Sequence, residues 1–319
     1  MTKNPTADIV LDRLRCSRKY GHLCPDMLRR IAAFAVGNSR STDDAIKKAK
    51  RRLHQIYGAF SGSVRTREIE ALLAGITRAS SEGAIRQSCR TILAMHSSTR
   101  ERLPILEDLY SYLFSITGVP GRIIDLGCGL HPFSIPWMNL PEGCHYVAID
   151  IDSRWMELIA SLLERLELRG RALCSDILIE SLGEPCDVVF MLKLLPTIER
   201  QESEAAMSLL ETLPARFAVV SFPTTTLGKR SRGMLGNYRD WMDEHLTARS
   251  LPARSHVFAS ELFYVIDLRH QLVNERRRAC DQSSRTPRLH DPDESAHARR
   301  TPARGCVPRP WARPDARSR

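Results

Sequence analysis

The chain has 319 residues, of which 43% are hydrophobic and 26% charged, with 47 Lys and Arg against 37 Asp and Glu. This composition excludes a chain that is disordered throughout. No stretch approaches the roughly 18 apolar residues that a membrane helix needs, and residues 1–10 lack the apolar core of a secretory signal. The nine cysteines form no CxxC pair, so we expect neither a metal site nor a disulfide framework, in a protein of the reducing cytoplasm.

Positive charge is concentrated near the two ends of the chain. Residues 1–60 carry 13 Lys and Arg against 5 Asp and Glu, and residues 270–319 carry 12 against 6. Residues 120–269, by contrast, carry 15 against 20. This pattern predicts that the N-terminal part binds a polyanion such as a nucleic acid while an acidic core carries the chemistry. A basic helical domain without such a partner is the alternative.

Residues 1–115 are predicted to form a basic helical domain. Pro25 and Asp26 begin one helix, with proline in its first turn and an acid near its positive end. Ser41 or Thr42 caps a second helix. An apolar stripe at spacings of three and four in that helix is expected to be core: it consists of Ile46, Ala49, Leu53 and Ile56. The cations around the stripe are candidate RNA phosphate contacts, with a solvated face as the alternative: they are Lys47, Lys48, Lys50, Arg51 and Arg52.

Residues 116–269 are predicted to form an α/β domain. Short apolar runs are typical of buried strands, and a helical pattern at residues 155–168 separates the second from the third. The runs lie at residues 122–126, 146–150, 187–192, 217–222 and 262–266. Strands that alternate with helices indicate βαβ units and a mostly parallel sheet.

Residues 270–319 are predicted to be a disordered tail. They contain 12 Arg, 6 Pro and no Lys, and they show almost no apolar periodicity. Such a segment cannot bury enough surface to offset the entropy of ordering. An RNA-binding tail and an extension without function are both compatible with this composition, and we favour the second.

A glycine turn after the first predicted strand indicates a nucleotide-type cofactor. Gly127 and Gly129 allow a ligand to approach the backbone closely, and Asp150, which ends the next strand, is placed to accept hydrogen bonds from ribose hydroxyls. This combination suits a nicotinamide dinucleotide or S-adenosylmethionine. Pro132 stands where the dinucleotide motif has its third glycine, and Asp125 would repel a pyrophosphate but attract an ammonium group. The sequence therefore favours S-adenosylmethionine.

Two further features bear on the cofactor and the methyl acceptor. Asp176 follows a predicted strand end, where it could accept from an adenine amino group, with an ordinary loop acid as the alternative. Residues 191–196 read MLKLLP and lack the Asn/Asp-Pro-Pro-aromatic loop of enzymes that methylate exocyclic amino groups of bases. No Pro-Cys dipeptide follows that strand, so a covalent cytosine mechanism is not indicated.

Short motifs spread over about residues 10–268 resemble, in the same order, those of a known family. They are SRKY at 17–20, CPD at 24–26, LHQIYGAF at 53–60, HSSTRERL at 96–103, DLGCGLHP at 125–132, LKLLP at 192–196, SFPT at 221–224, GM at 233–234 and NY at 237–238. The chain is similar to the aminoglycoside-resistance 16S rRNA methyltransferases, the Arm and Rmt enzymes and their relatives in aminoglycoside-producing actinomycetes.

The resemblance implies a Rossmann-like class I S-adenosylmethionine-dependent methyltransferase core with an N-terminal helical domain that docks on the 30S subunit. It implies methylation of N7 of guanine 1405 in the A-site of 16S rRNA, which gives aminoglycoside resistance. The cofactor contacts that it implies are Phe60, His96, Ser97, Ser98, Arg102, Gly127, Asp150, Asp176, Ile177, Leu192 and Gln201. Lys193 follows a predicted strand end, at the edge of the sheet where the target base would arrive, and is a further candidate RNA contact. The nearby cations Lys229, Arg230 and Arg232 are also candidate RNA contacts, with plain surface charge as the alternative.

The chain departs from the family at two positions. His131 stands where the family usually has Asn, and Gly127 where it often has Ala. Guanine N7 has a lone pair at neutral pH, so we expect no general base. We also expect no metal and a monomer. Methylation of N1 of an A-site adenine, methylation of a small molecule, and RNA binding without catalysis are the alternative functions.

Overall fold

The structure, a computed structural model, describes residues 6–58, 65–179, 182–224, 234–258 and 261–269. The predicted disordered tail lies outside these residues, as do the site candidates Phe60, Lys229, Arg230 and Arg232. The predicted helical segment and the predicted α/β segment fall within one compact unit. The domain boundaries at residues 115 and 269 therefore stay a prediction.

Helices dominate the described residues before β1, which agrees with the helical character predicted for residues 1–115. The helices are α1 (Ala7–Arg15), α2 (Pro25–Gly37), α3 (Thr42–Leu53), α4 (Thr66–Ala74), α5 (Glu82–Ala94), α6 (Ser97–Arg100), α7 (Leu106–Thr117), α8 (Ser153–Arg165), α9 (Leu195–Glu199), α10 (Ala205–Glu211) and α11 (Met234–Ala248). Shorter turns of other helical types cover His54–Gly58, Leu103–Ile105 and His131–Trp137. Pro25 begins α2, and the Ser41 side chain caps α3 by accepting from the Asp44 N–H at 3.3 Å, so both predicted helix starts are confirmed.

One mixed sheet forms the centre of the described part of the chain. Its strands are β1 (Arg122–Leu126), β2 (His145–Asp150), β3 (Arg169–Cys174), β4 (Cys186–Leu192), β5 (Ala215–Pro223), β6 (Ala253–Phe258) and β7 (Glu261–Asp267). They lie in the order β3-β2-β1-β4-β5-β7-β6. The first five strands are parallel, whereas β7 pairs antiparallel with β5 and β6 antiparallel with β7. This confirms the predicted α/β class and mostly parallel sheet.

Two strands have no counterpart among the five predicted apolar runs: β3, of which only the end was predicted, and β6. β6 is one of the two outer strands of the sheet, and its residues are exposed except for the half-buried Phe258. An edge strand with both faces near solvent carries no buried apolar run, so the pattern that predicted its neighbours is absent.

Both faces of the sheet are covered, which explains why the predicted strands read as continuous apolar runs. Ile123 of β1 packs into a core with α4, α5, α7 and α8 on one face, and the next residue, Ile124, packs into a core with α9, α10 and α11 on the other. Helices α1, α2 and α3 build a third apolar cluster that includes Ala49 and Leu53 of the predicted stripe. Among the described residues, no helix is long and apolar enough to cross a membrane.

Candidate cofactor site

A cavity of about 170 Å³ lies at the carboxyl ends of the parallel strands. The loops after β1, β2, β3 and β4 all contribute to its wall. The crossover connections change direction between β1 and β4, which is the place where open parallel sheets bind ligands. The fold therefore brings together at one edge the residues that the sequence places after separate strands.

The glycine turn and Asp150 form one wall of this cavity. Gly127 and Gly129 have φ values of 58° and 51°, in the left-handed region that favours glycine. The Gly129 N–H donates to one oxygen of Asp150 at 2.9 Å, and the Asp152 N–H donates to the other at 3.1 Å. Burial raises the pKa of Asp150 to about 6, although these two backbone donors oppose the shift. At neutral pH the carboxylate is thus ionised and fixed, with lone pairs left to accept from hydroxyl groups.

Asp125 lies in the same wall and is 1% exposed. Its Oδ2 accepts from the Tyr146 hydroxyl at 2.7 Å and lies 2.8 Å from Nδ1 of His131. Its Oδ1 is buried and has no hydrogen-bond partner among the described residues. A buried acceptor without a donor costs about 1–3 kcal/mol, so this oxygen suits a ligand that brings a donor, above all a cationic one. His131 thus contacts Asp125 through Nδ1, and its Nε2 lies 2.8 Å from the Tyr110 hydroxyl.

A buried ion-pair network lies beside the cavity. Arg102 donates to Glu261 from Nε at 2.9 Å and from a terminal nitrogen at 2.7 Å, and the Lys193 ammonium lies 3.3 Å from the same carboxylate. Lys193 also pairs with Glu101. Burial alone would raise the pKa of Glu261, but Arg102 and then Lys193 hold it below its usual value. The network joins the segment before α7 to the residue after β4 and to the first residue of β7.

A family model described as "Ribosomal RNA methyltransferase (FmrO)" matches residues 16–265, more than three quarters of the chain. The chain belongs to this family. A 16S rRNA (guanine(1405)-N(7))-methyltransferase of Micromonospora rosea is 36% identical over 269 residues, covering 82% of this chain and 98% of the relative. The enzyme of the same name from Frankia casuarinae is 35% identical over 270 residues, covering 83% and 95%.

Solved structures of 16S rRNA methyltransferases share the fold. The structure of RmtF in complex with S-adenosyl-L-homocysteine superposes with a TM-score of 0.73 at 31% identity, covering 84% of this chain and 99% of that one. The structure of RmtB gives a TM-score of 0.69 at 28% identity, covering 82% and 98%. The FmrO-family match ends before residue 270, so the C-terminal tail lies outside it.

Most of the cofactor contacts implied by the family resemblance line the cavity. Those in its wall are His96, Ser98, Arg102, Gly127, Asp150, Asp176, Ile177, Leu192 and Gln201. Ser97 lies between two of them in α6 but is not part of the wall, and Phe60 falls outside the described residues. The structure thus brings nine of the eleven predicted residues together at one place, while the contact of each with a cofactor stays a prediction.

The predicted RNA contacts in α3 fall into two groups. Three are exposed and have no ion pair within the described residues: they are Lys47, Lys50 and Arg51. Lys48 pairs with Asp44 at 2.9 Å, and the half-buried Arg52 stacks on the Phe34 ring at 4.1 Å. Outside α3, the Lys193 side chain is only 12% exposed and its charge is paired in the ion-pair network. A role of these cations in RNA binding stays a prediction.

Sequence reasoning missed the part of the cavity wall that comes from the N-terminal helices. Met27 and Arg30 of α2 line the cavity, together with Ile56 and Tyr57 just after α3. The CPD motif at residues 24–26 marks the start of α2 but does not reveal that the next turn faces the cofactor site. No group of three or more His, Cys, Asp or Glu in the described ranges is arranged to hold a metal ion.

Proposed function

We propose that this protein transfers the methyl group of S-adenosylmethionine to N7 of guanine 1405 of 16S rRNA. Its membership of the FmrO family carries the proposal. Relatives that are 35–37% identical are named for this activity, and the match to this chain covers nearly the whole length of each relative. The cofactor follows from RmtF, whose structure holds S-adenosyl-L-homocysteine, the product left after methyl transfer.

The residues of the cavity fit this cofactor. The unpaired Oδ1 of Asp125 suits the ammonium group of the methionine moiety, because a buried carboxylate oxygen without a donor favours a cation. Asp150 is positioned to accept from the ribose hydroxyls, since both its oxygens are anchored by backbone donors. Asp176, at the end of β3, is the candidate acceptor for the adenine amino group.

The main catalytic task of the protein is to align the two reactants. S-adenosylmethionine supplies a methyl group that its sulfonium already activates. Guanine N7 has a free lone pair at neutral pH, so no residue of this chain has to remove a proton. Holding N7 and the methyl group in line at near-attack distance can lower the activation free energy by roughly 7–11 kcal/mol. Extrusion of the guanine from its stack costs a few kcal/mol, which contacts at the cavity mouth must offset.

The exposed cations of α3 are the proposed docking surface for the 30S subunit. A helix face with Lys47, Lys50 and Arg51 and without neutralising partners among the described residues suits rRNA phosphates. The enzyme would act as a monomer in the cytoplasm, where ribosomes are found. The methyl group and the positive charge that it adds at N7 would block aminoglycosides that bind the A-site, giving resistance.

The test is methyl incorporation from labelled S-adenosylmethionine into purified 30S subunits, followed by borohydride and aniline treatment and primer extension. A strand break at guanine 1405 alone establishes the acceptor atom and the site together. Incorporation without cleavage would refute N7 and point to another atom, such as N1 of an A-site adenine. A chain that binds the cofactor but methylates no subunit would refute rRNA as the substrate.

A further inference from the structure

Arg30, which neither the sequence motifs nor the proposed mechanism uses, bridges two residues of the cofactor cavity. Its Nε donates to Asp176 Oδ2 at 2.7 Å, and a terminal nitrogen donates to Gln201 Oε1 at 2.9 Å. Arg30 belongs to α2, whereas Asp176 follows β3 and Gln201 lies just after α9. One guanidinium therefore ties an N-terminal helix to two separate loops of the sheet.

The contact with Asp176 determines what that carboxylate can do. Asp176 is 3% exposed, and its second oxygen accepts from the Leu178 N–H at 3.2 Å. Without Arg30 the buried carboxylate would have no cationic partner among the described residues, which favours a different side-chain orientation. With Arg30 both oxygens accept from fixed donors, and lone pairs remain to accept from a ligand.

The contact with Gln201 is reinforced from a second helix. The Gln201 amide accepts from Arg30 at Oε1 and donates from Nε2 to the Thr197 carbonyl at 3.3 Å, which fixes the orientation of the amide. The Gln201 backbone carbonyl in turn accepts from Arg52 of α3. Arg30 of α2 and Arg52 of α3, the helix that carries the proposed rRNA-docking face, thus both hold one residue of the cavity wall.

We infer that Arg30 is a positioning residue for the cofactor, acting through Asp176 and Gln201. The inference rests on the proposed cofactor site and adds to it a role for α2. The N-terminal helices then have two tasks, because they dock on rRNA and also complete the wall that holds the adenine end of the cofactor. Arg30 exerts this effect by fixing acceptors in place, so its loss should weaken cofactor binding more than it slows methyl transfer at saturation.

The experiment measures S-adenosyl-L-homocysteine affinity by calorimetry with the full-length chain. Arg30→Ala should weaken binding about tenfold or more, since it removes two hydrogen bonds, one of them to a buried charge. Arg30→Lys should recover part of the loss, because an ammonium keeps the charge near Asp176 but cannot match the guanidinium fork. Arg29→Ala is the matched control: it makes the same change on the exposed side of α2, where Arg29 pairs with Asp26, and should leave the affinity unchanged.

Two further measurements separate positioning from a purely structural role. On 30S subunits, Arg30→Ala should raise KM for S-adenosylmethionine about as much as it weakens affinity, with kcat within about twofold of wild type. In a double-mutant cycle, the fold loss of S-adenosyl-L-homocysteine affinity in the double variant Arg30→Ala, Gln201→Ala should be smaller than the product of the fold losses in the two single variants. If Arg30→Ala does not fold, Arg30→Lys carries the same test.

The possible failures can be told apart. A folded Arg30→Ala protein that binds S-adenosyl-L-homocysteine as tightly as wild type would overturn the role of Arg30 and leave the proposed function intact. Additive effects in the cycle would overturn action through Gln201. A wild-type chain that does not bind S-adenosyl-L-homocysteine would instead refute the cofactor site itself.

Discussion

Replacing Glu261 with alanine is the sharpest test of the buried ion-pair network. Glu261 is 1% exposed and accepts two hydrogen bonds from Arg102, which is 3% exposed, while Lys193 and Ser221 also contact the carboxylate. Removing one partner of a buried pair leaves an uncompensated charge, at a cost of about 3–5 kcal/mol. We expect the free energy of unfolding at pH 7 to fall by that amount. At roughly 2–4 °C per kcal/mol for a domain of this size, the midpoint temperature should fall by roughly 6–20 °C.

Urea denaturation followed by tryptophan fluorescence measures this loss. Glu107→Ala is the control, because Glu107 is mostly exposed and its pair with Arg86 should contribute no more than about 1 kcal/mol. The pKa of Glu261 lies below its usual value of 4.5, so the charged network stabilises the fold above that pH and its contribution disappears as the pH falls through the folded-state pKa. The difference between wild type and Glu261→Ala should therefore shrink in acid. A loss below about 1 kcal/mol at pH 7, well under the range for a buried pair, would refute the reasoning.

Three further outcomes are expected. Asp150→Ala should weaken S-adenosyl-L-homocysteine binding by roughly tenfold or more in calorimetry. Because the pKa of Asp150 is about 6, the affinity of the wild-type protein should also fall from pH 7 to pH 5. An affinity that changes with neither the substitution nor the pH would contradict the ribose assignment. Joint replacement of Lys47, Lys50 and Arg51 by alanine should weaken binding to the 30S subunit. The slope of the logarithm of the binding constant against the logarithm of the salt concentration should fall by about one for each lost phosphate contact. Cofactor affinity is the control and should not change, whereas unchanged subunit binding would exclude α3 as the docking face. Truncation after residue 269 should leave methylation of 30S subunits unchanged, since the family match ends before it, and a large loss of activity would assign the tail a function.

Much of the fold could be predicted because buried parallel strands leave a local trace. β1, β2, β4, β5 and β7 read as short apolar runs, and each lies within one or two residues of its predicted bounds. β3 was predicted only by its end, before Asp176, and not as an apolar run, because its residues are exposed or half-buried. The antiparallel pairing of β6 and β7 was not predicted, since pairing direction depends on which strands meet and not on their composition.

The sequence by itself determined the features that depend on neighbouring residues. The left-handed backbone at Gly127 and Gly129, the acid at the end of β2 and the basic surface of α3 each follow from a short stretch of chain. Only the tertiary structure decided which charges meet. Arg30 pairs with Asp176 across 146 positions and Arg102 with Glu261 across 159, and no periodicity or motif encodes such a distance. The physical reason is that a buried charge is stable only beside an opposite charge, and packing of the folded chain decides which opposite charge lies beside it. The separation of the two residues in the sequence has no part in this.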